Sequence, residues 1–252
     1  MGTVRVSRQG PVLLAQIDNP PVNALSADVL DGLEAALDEA RQDGAVRALV
    51  IGGSDQIFAA GADIPSFLGQ GLTPEAALRR GAAVFDGIAE LPKPVVAAVI
   101  GHCLGGGLEL ILAADLRVAS PDSRFGQPEV HLGIIPGWNG TVRLPRLVGQ
   151  SHAAELILTG EPIDGRRAYE MGLVNRLAPD DEVLDCALNW ARLLSSQSGA
   201  AIAEARALLA HWTEPNPAAR EREAVLRLMA GADAAEGVSA FLERRRPRFG
   251  QR

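Results

Sequence analysis

The chain has 252 residues, with 24 basic against 31 acidic side chains and a net charge of −7. That balance disfavours general affinity for nucleic acid or for an anionic membrane surface. Abundant glycine and alanine with only 4% aromatic residues favour close-packed α/β layers, and a chain of this length buries about three-quarters of its unfolded surface, enough for one large domain and a smaller appendage.

In chain order, Val4 to Ser7 and Val12 to Asp18 read as paired strands around Gln9-Gly10. Ser26 is a candidate N-cap for a helix through about Gln42, because Val29, Leu30, Leu33, Ala36 and Leu37 recur at helical spacing. Val46 to Ile51 is a continuous apolar run closed by Gly52-Gly53, which suits a strand buried on both faces. The small-residue loop Phe58-Ala59-Ala60-Gly61-Ala62-Asp63-Ile64 follows. A helix is predicted from about Pro74 to Glu90 with Thr73 as its cap, and Lys93 to Gly101 reads as one buried strand feeding the triple glycine Gly105-Gly106-Gly107. A helix then starts near Leu108, and a strand is expected at Leu116 to Ala119 after Asp115, a turn or capping residue.

Pro136 to Thr141 is a turn opening a further helix, and Ser151 to Thr159, Asp164 to Met171 and Leu173 to Leu177 read as helix, helix and short strand, with Gly172 at a helix end. From Asp181 onward the chain reads as helix, broken at Ser195 to Gly199 and at Pro215-Asn216-Pro217. The alternation implies βαβ units and a mainly parallel sheet. Val225, Leu226, Leu228 and Met229 pack either on a neighbouring copy or on the chain's own core, self-packing being the simpler reading.

The chemistry concentrates in the middle of the chain. Three glycines let the backbone approach a ligand and expose its amides, and they run into Glu109, with Glu129 twenty residues later in Phe125-Gly126-Gln127-Pro128-Glu129. A dinucleotide fingerprint from Gly105 needs glycine where Leu110 stands, and no Gly-Lys-Ser/Thr marks a phosphate loop. Two carboxyl groups beside exposed amides suit proton transfer. One amide of the loop at 58–64 together with one from the triple glycine would grip a single oxygen atom as an oxyanion hole. The plainer alternative is that the glycines only allow close packing, that Glu109 is an ordinary helix residue and that the loop is a tight turn with Asp63 as a cap.

Cys103 and Cys186 read as structural thiols, and His102 has no companion at metal-ligand spacing, so no metal is expected. The apolar stretch between Lys93 and Glu109 has 15 residues, short of the roughly 20 that span a bilayer. The first residues read as strand rather than as a leader, so a cytoplasmic location is expected.

Phe58 to Ile64, Lys93-Pro94-Val95-Val96-Ala97-Ala98-Val99, Leu104-Gly105-Gly106-Gly107-Leu108-Glu109-Leu110, and Phe125 to Glu129 with Gly133-Ile134-Ile135-Pro136-Gly137 together resemble the crotonase superfamily, most closely its enoyl-CoA hydratase branch. The likeness runs from Asn19 to the tail at Ala240 to Pro247. It implies a spiral of ββα units over residues 1–195 and a C-terminal helical region over 196–252 that forms a homotrimer or a hexamer. It implies oxyanion-hole amides at Ala60 and Gly106, Glu109 as base toward water and Glu129 as acid toward carbon. Ala24, Ala60, Gly61, Ala62, Asp63, Ile64, Gly105, Gly106 and Trp138 would line the acyl-CoA substrate.

With both glutamates present, the implied reaction is syn addition of water to a trans-2-enoyl-CoA, with no metal or redox cofactor and with coenzyme A as part of the substrate. Double-bond isomerisation, or dehydration of a specialised hydroxyacyl-CoA, would use the same oxyanion hole. A non-catalytic RNA-binding or scaffold role is the alternative from another class, prompted by Arg244-Arg245-Arg246-Pro247-Arg248; a solvated helix face explains that run more simply. Trp138 and Asn139 stand where the family commonly has small residues, so that Trp138 narrows the acyl pocket, Asn139 adds a polar contact, or both only pack the start of the helix that follows. A lysine that often follows the tail aromatic is replaced by Gly250 after Phe249.

Overall fold

A computed structural model describes residues 2–54, 56–63, 65, 73–211 and 213–250. The first strands, β1 (Thr3–Gln9) and β2 (Val12–Asp18), pair antiparallel across the Gln9-Gly10 turn. Helix α1 (Ala27–Gln42) begins where Ser26 accepts a hydrogen bond from the Val29 amide. Strand β3 (Ala48–Gly52) pairs parallel with β2, and β4 (Ile57–Ala59) leaves that sheet. Helix α2 (Pro74–Ala89) is capped by Thr73, with Pro74 in its first turn where a missing N–H costs nothing.

Strand β5 (Val95–Val99) is shorter than the expected run to Gly101. At Gly101 the backbone takes φ +65, and any Cβ there would collide with the Gln56 carbonyl oxygen, so only glycine makes this step. The chain thereby changes sheets and forms β6 (His102–Leu104) before the glycines, instead of feeding them directly from β5. Helix α3 (Gly106–Leu112), β7 (Leu116–Ala119), β8 (Arg124–Gly126) and a 3-10 turn at Pro128–Leu132 follow.

Helix α4 (Gly140–Thr159) joins the two predicted helices, the one opened by the turn at Pro136 to Thr141 and Ser151 to Thr159, across a non-helical Gly149 at φ 80. The remaining elements are β9 (Ile163–Asp164), α5 (Gly165–Glu170), β10 (Arg176–Leu177), α6 (Val183–Ser195), α7 (Gly199–Ala210), α8 (Pro217–Met229) and α9 (Ala232–Leu242).

One sheet has the order β1-β2-β3-β5-β7-β10 and is parallel from β2 onward; the other, β4-β6-β8-β9, is parallel except for β9. Side chains alternate across the first sheet. Leu49, Ile51, Val95, Ala97 and Val99 share a core with α1 and α2, whereas Ala48, Val50, Val96 and Ala98 share another with Val183, Ala187, Leu188 and Ala191 of α6. Burial on both faces is why these strands read as unbroken apolar runs. The architecture is α/β with mainly parallel sheets and a C-terminal helical region.

Asp115 joins that region to the sheet. Its carboxylate accepts from the Val95 amide at 2.7 Å and from Arg206 Nε of α7 at 2.8 Å, and Arg206 also donates to the Ile88 and Ala89 carbonyls. Because the Arg206 side chain is only 9% exposed, Arg206→Ala is expected to lower stability by about 2 kcal/mol, read as a lower midpoint in urea unfolding. The expected self-packing of the tail is corrected for three of its four residues: Val225, Leu226 and Met229 are exposed on α8, Leu228 is half-buried, and of α8 and α9 only Ala224 and Ala240 are buried.

Candidate active site

Two loops are stitched together before the glycines arrive. The Leu25 amide donates to Gly61 O at 2.8 Å and the Asp63 amide to Leu25 O at 3.2 Å, which lays Ala24-Leu25 along Gly61-Ala62-Asp63. Parallel pairing of β4 with β6 then brings this loop against the triple glycine. A Cβ on Gly61 would stand 3.5 Å from Leu104 O and 3.8 Å from Gly106 N, and one on Gly106 would stand 3.4 Å from Ala62 N. The loop at 60–62 and the start of α3 are therefore in contact.

The backbone hydrogen bonds correct one sequence expectation. Ala60 N–H donates to Val22 O at 3.1 Å, so that amide is already engaged and is not open to a ligand. Ala62 N–H and Gly106 N–H, the pair that approach each other, donate to no main-chain carbonyl among the described residues. Among the described residues, the open amides are therefore those of Ala62 and Gly106. Ile64 lies outside the described residues.

Glu109 sits in the first turn of α3 and is 2% exposed. Its Oε1 accepts from the amides of Trp138 and Gly140, each at 2.7 Å. Those donors converge because Asn139 between them takes the left-handed conformation, φ 76, which asparagine tolerates. Burial raises the Glu109 pKa to about 7; the two amides pull it down, the Glu129 charge pushes it up and Arg143 lowers it. Glu129, in the 3-10 turn and half-buried, is also raised, chiefly by burial. With its amide nitrogen turned toward Glu129, the fully buried Gln127 donates to both carboxylate oxygens, at 3.1 and 3.0 Å.

Gly105 links the two acids. It caps α3 at φ 51 and ψ −125, and a Cβ there would stand 3.0 Å from Glu129 Oε1. The result is a pair of acids with raised pKa values beside two open amides. Such a set can hold and shuttle one proton and stabilise negative charge on a ligand oxygen.

Trp138 is 4% exposed, and its ring packs on Phe85 and over Gly106. The Asn139 side chain turns away to Asp86, at 3.1 Å, where Arg143 also donates, at 2.6 Å, so the expected polar contact goes to α2 rather than to the glutamates. Gln127, Asp86 and Arg143 were not singled out by the sequence, because their roles depend on contacts between elements distant along the chain.

His102 is exposed on β6, and no cluster of three or more metal-ligating side chains occurs among the described residues. Burial pushes the Cys103 thiol well above its ordinary value, which suits a packed and unreactive group. No helix among the described residues is long and apolar enough to cross a membrane. Arg245 of the basic run is bound by Glu236 and Glu243, which neutralise much of its charge locally.

This arrangement defines an α/β protein that presents an amide pair and two acids at the start of one helix. Residues 7–252 match the enoyl-CoA hydratase/isomerase family, and the chain belongs to that family, within the crotonase superfamily. It is 40% identical over 244 residues to a probable enoyl-CoA hydratase of Bacillus subtilis (strain 168), covering 94% of this chain and 95% of that protein. It is 38% identical to a 2,3-dehydroadipyl-CoA hydratase of Escherichia coli (strain K12), with 99% of each chain covered. A crystal structure of enoyl-CoA hydratase from Bacillus anthracis superimposes with a TM-score of 0.93 at 30% identity, covering 99% of this chain and all of that one.

Proposed function

We propose that the protein is an enoyl-CoA hydratase, adding water to a trans-2-enoyl-CoA to give a 3-hydroxyacyl-CoA. The observation that carries this reading is the pairing of two acids, each raised by burial, next to the open amides of Ala62 and Gly106. The thioester oxygen accepts from those two amides, which draws electrons from Cβ. Glu109 takes a proton from water as the new C–O bond forms at Cβ. The Cα=Cβ electron pair moves onto the thioester oxygen as an enolate, and the two amides stabilise that charge as it develops. Glu129 then gives its proton to Cα, so the pair ends with its proton moved from one acid to the other.

The pair titrates as a unit. In the free protein, burial raises both acids, Glu109 to about 7, so the pair holds on to one proton near neutral pH. The hydrating tautomer, with that proton on Glu129, has the same total charge. Turnover is therefore expected to decline as pH rises through about 7 and the last proton leaves the pair. Measuring kcat/KM between pH 5 and 9 checks this, and a flat profile across 7 contradicts it.

Coenzyme A enters as part of the substrate, and nothing in this scheme calls for a metal or redox group. Residues 196–252 are proposed to form the oligomer, a homotrimer or a hexamer, and a cytoplasmic location is proposed with it; the exposed apolar side chains of α8 and α9 support the oligomer. The decisive experiment is to incubate the protein with 2-butenoyl-CoA in H2(18)O, following loss of enoyl absorbance and product mass. Label in a 3-hydroxybutanoyl thioester supports hydration. Conversion of a 3-enoyl-CoA to the 2-enoyl isomer without water addition would replace this reading by isomerisation.

A further inference from the structure

We propose that the Trp138 indole is the end wall of the acyl pocket and restricts the protein to short or compact 2-enoyl thioesters; this rests on the hydratase reading above. The indole fills a slot built for it. On α2, Gly81 leaves room that any Cβ would take from the ring. On α3, a Cβ at Gly106 would stand 2.5 Å from Trp138 Cζ3 and 2.8 Å from Cε3. Phe85 holds the ring edge-on, with centroids 5.3 Å apart and planes at 79°. Packed glycine, phenylalanine, glycine and indole leave the ring few ways to swing aside.

The location gives the ring its role. The substrate oxygen lies at the amides of Ala62 and Gly106, and the ring covers the Gly106 backbone. Cβ lies where Glu109 can direct water at it, and the Glu109 carboxylate is held by the very turn from which Trp138 projects, through Trp138 N–H at 2.7 Å. An acyl chain continuing past Cβ toward α2 meets the indole within a few carbons. The ring is bulky and held in place by Phe85, so it selects on length and bulk.

The test uses both binding and turnover. Each buried methylene ordinarily tightens binding about fourfold. Titration calorimetry with butanoyl-CoA and octanoyl-CoA is expected to show less than a threefold gain on lengthening for the wild type, and at least a thirtyfold gain for Trp138→Ala. The ratio of kcat/KM for 2-octenoyl-CoA over 2-butenoyl-CoA is expected to rise at least tenfold in the same variant. If Trp138→Ala does not fold, Trp138→Leu opens the same space with a smaller void and carries the test.

A wild type that binds octanoyl-CoA a hundredfold more tightly than butanoyl-CoA overturns the proposal, as does a variant with an unchanged length ratio. Length-selective binding without hydration of any 2-enoyl-CoA would leave the wall standing and overturn the reaction assignment. Failure to bind either thioester overturns both.

Discussion

Glu109→Gln is expected to lower kcat on 2-butenoyl-CoA by two to four orders of magnitude, the range typical for removing a positioned general base. The amide side chain is nearly isosteric, and its oxygen still accepts from Trp138 and Gly140, so geometry is retained while basicity is lost. Loss of enoyl absorbance under saturating substrate measures it; turnover within tenfold of wild type would remove Glu109 from the proposed role. The same substitution is expected to stabilise the fold at neutral and alkaline pH.

The sign follows from linkage. The Glu109 pKa is raised from 4.5 to about 7, so between those values the native state holds more of the proton than the unfolded chain does. Stability is therefore fully present below 4.5 and lost as pH rises through about 7. The rise corresponds to roughly 3 kcal/mol above pH 7. Urea unfolding of wild type and Glu109→Gln should give midpoints that diverge from pH 4.5 upward, with the variant the more stable; a variant less stable at pH 8 would contradict the burial argument. Activity and stability oppose each other at this residue, because a carboxylate poised to take a proton is one whose ionisation the fold resists.

Gly106→Ala is expected to lower kcat/KM by at least a hundredfold. The added methyl would stand 2.5 Å from Trp138 Cζ3, and the ring, backed by Phe85 and Gly81, cannot withdraw. The start of α3 must shift, taking the Gly106 amide from its place beside Ala62. Losing one oxyanion donor costs roughly 2.7–4 kcal/mol of barrier, and overpacking a buried site costs about 1–3 kcal/mol of stability. Steady-state kinetics and thermal unfolding read the two effects separately. Adding Trp138→Ala to Gly106→Ala removes the clash, so the double variant should recover most of the lost stability; a stability loss that persists in the double variant would show that the collision with the indole is not its cause.

The local and periodic features were legible from the sequence. Ser26 and Thr73 cap the helices they precede, and the apolar runs at β3 and β5 are strands buried on both faces. The close backbone approach at the triple glycine is likewise a property of those residues, whereas only the Gln56 carbonyl shows that 101 admits no side chain. The extra strand β6 was missed because three residues carry too little pattern to mark a change of sheet. Exposure of the tail was missed because helical spacing identifies an apolar face without saying what covers it.

The sequence by itself determined the family, the mainly parallel α/β class and the two acids, because each follows from residues close together or from motifs in fixed order. Only the tertiary structure decided which amide of the small-residue loop is open. Val22 claims Ala60, while Leu25 pairs with the residues on either side of Ala62 and leaves its N–H outward. It also decided that Asn139 serves α2 and that Trp138 lies over Gly106. A backbone amide looks the same at every alanine in the sequence, and whether it is open depends on which distant carbonyl the fold brings to it.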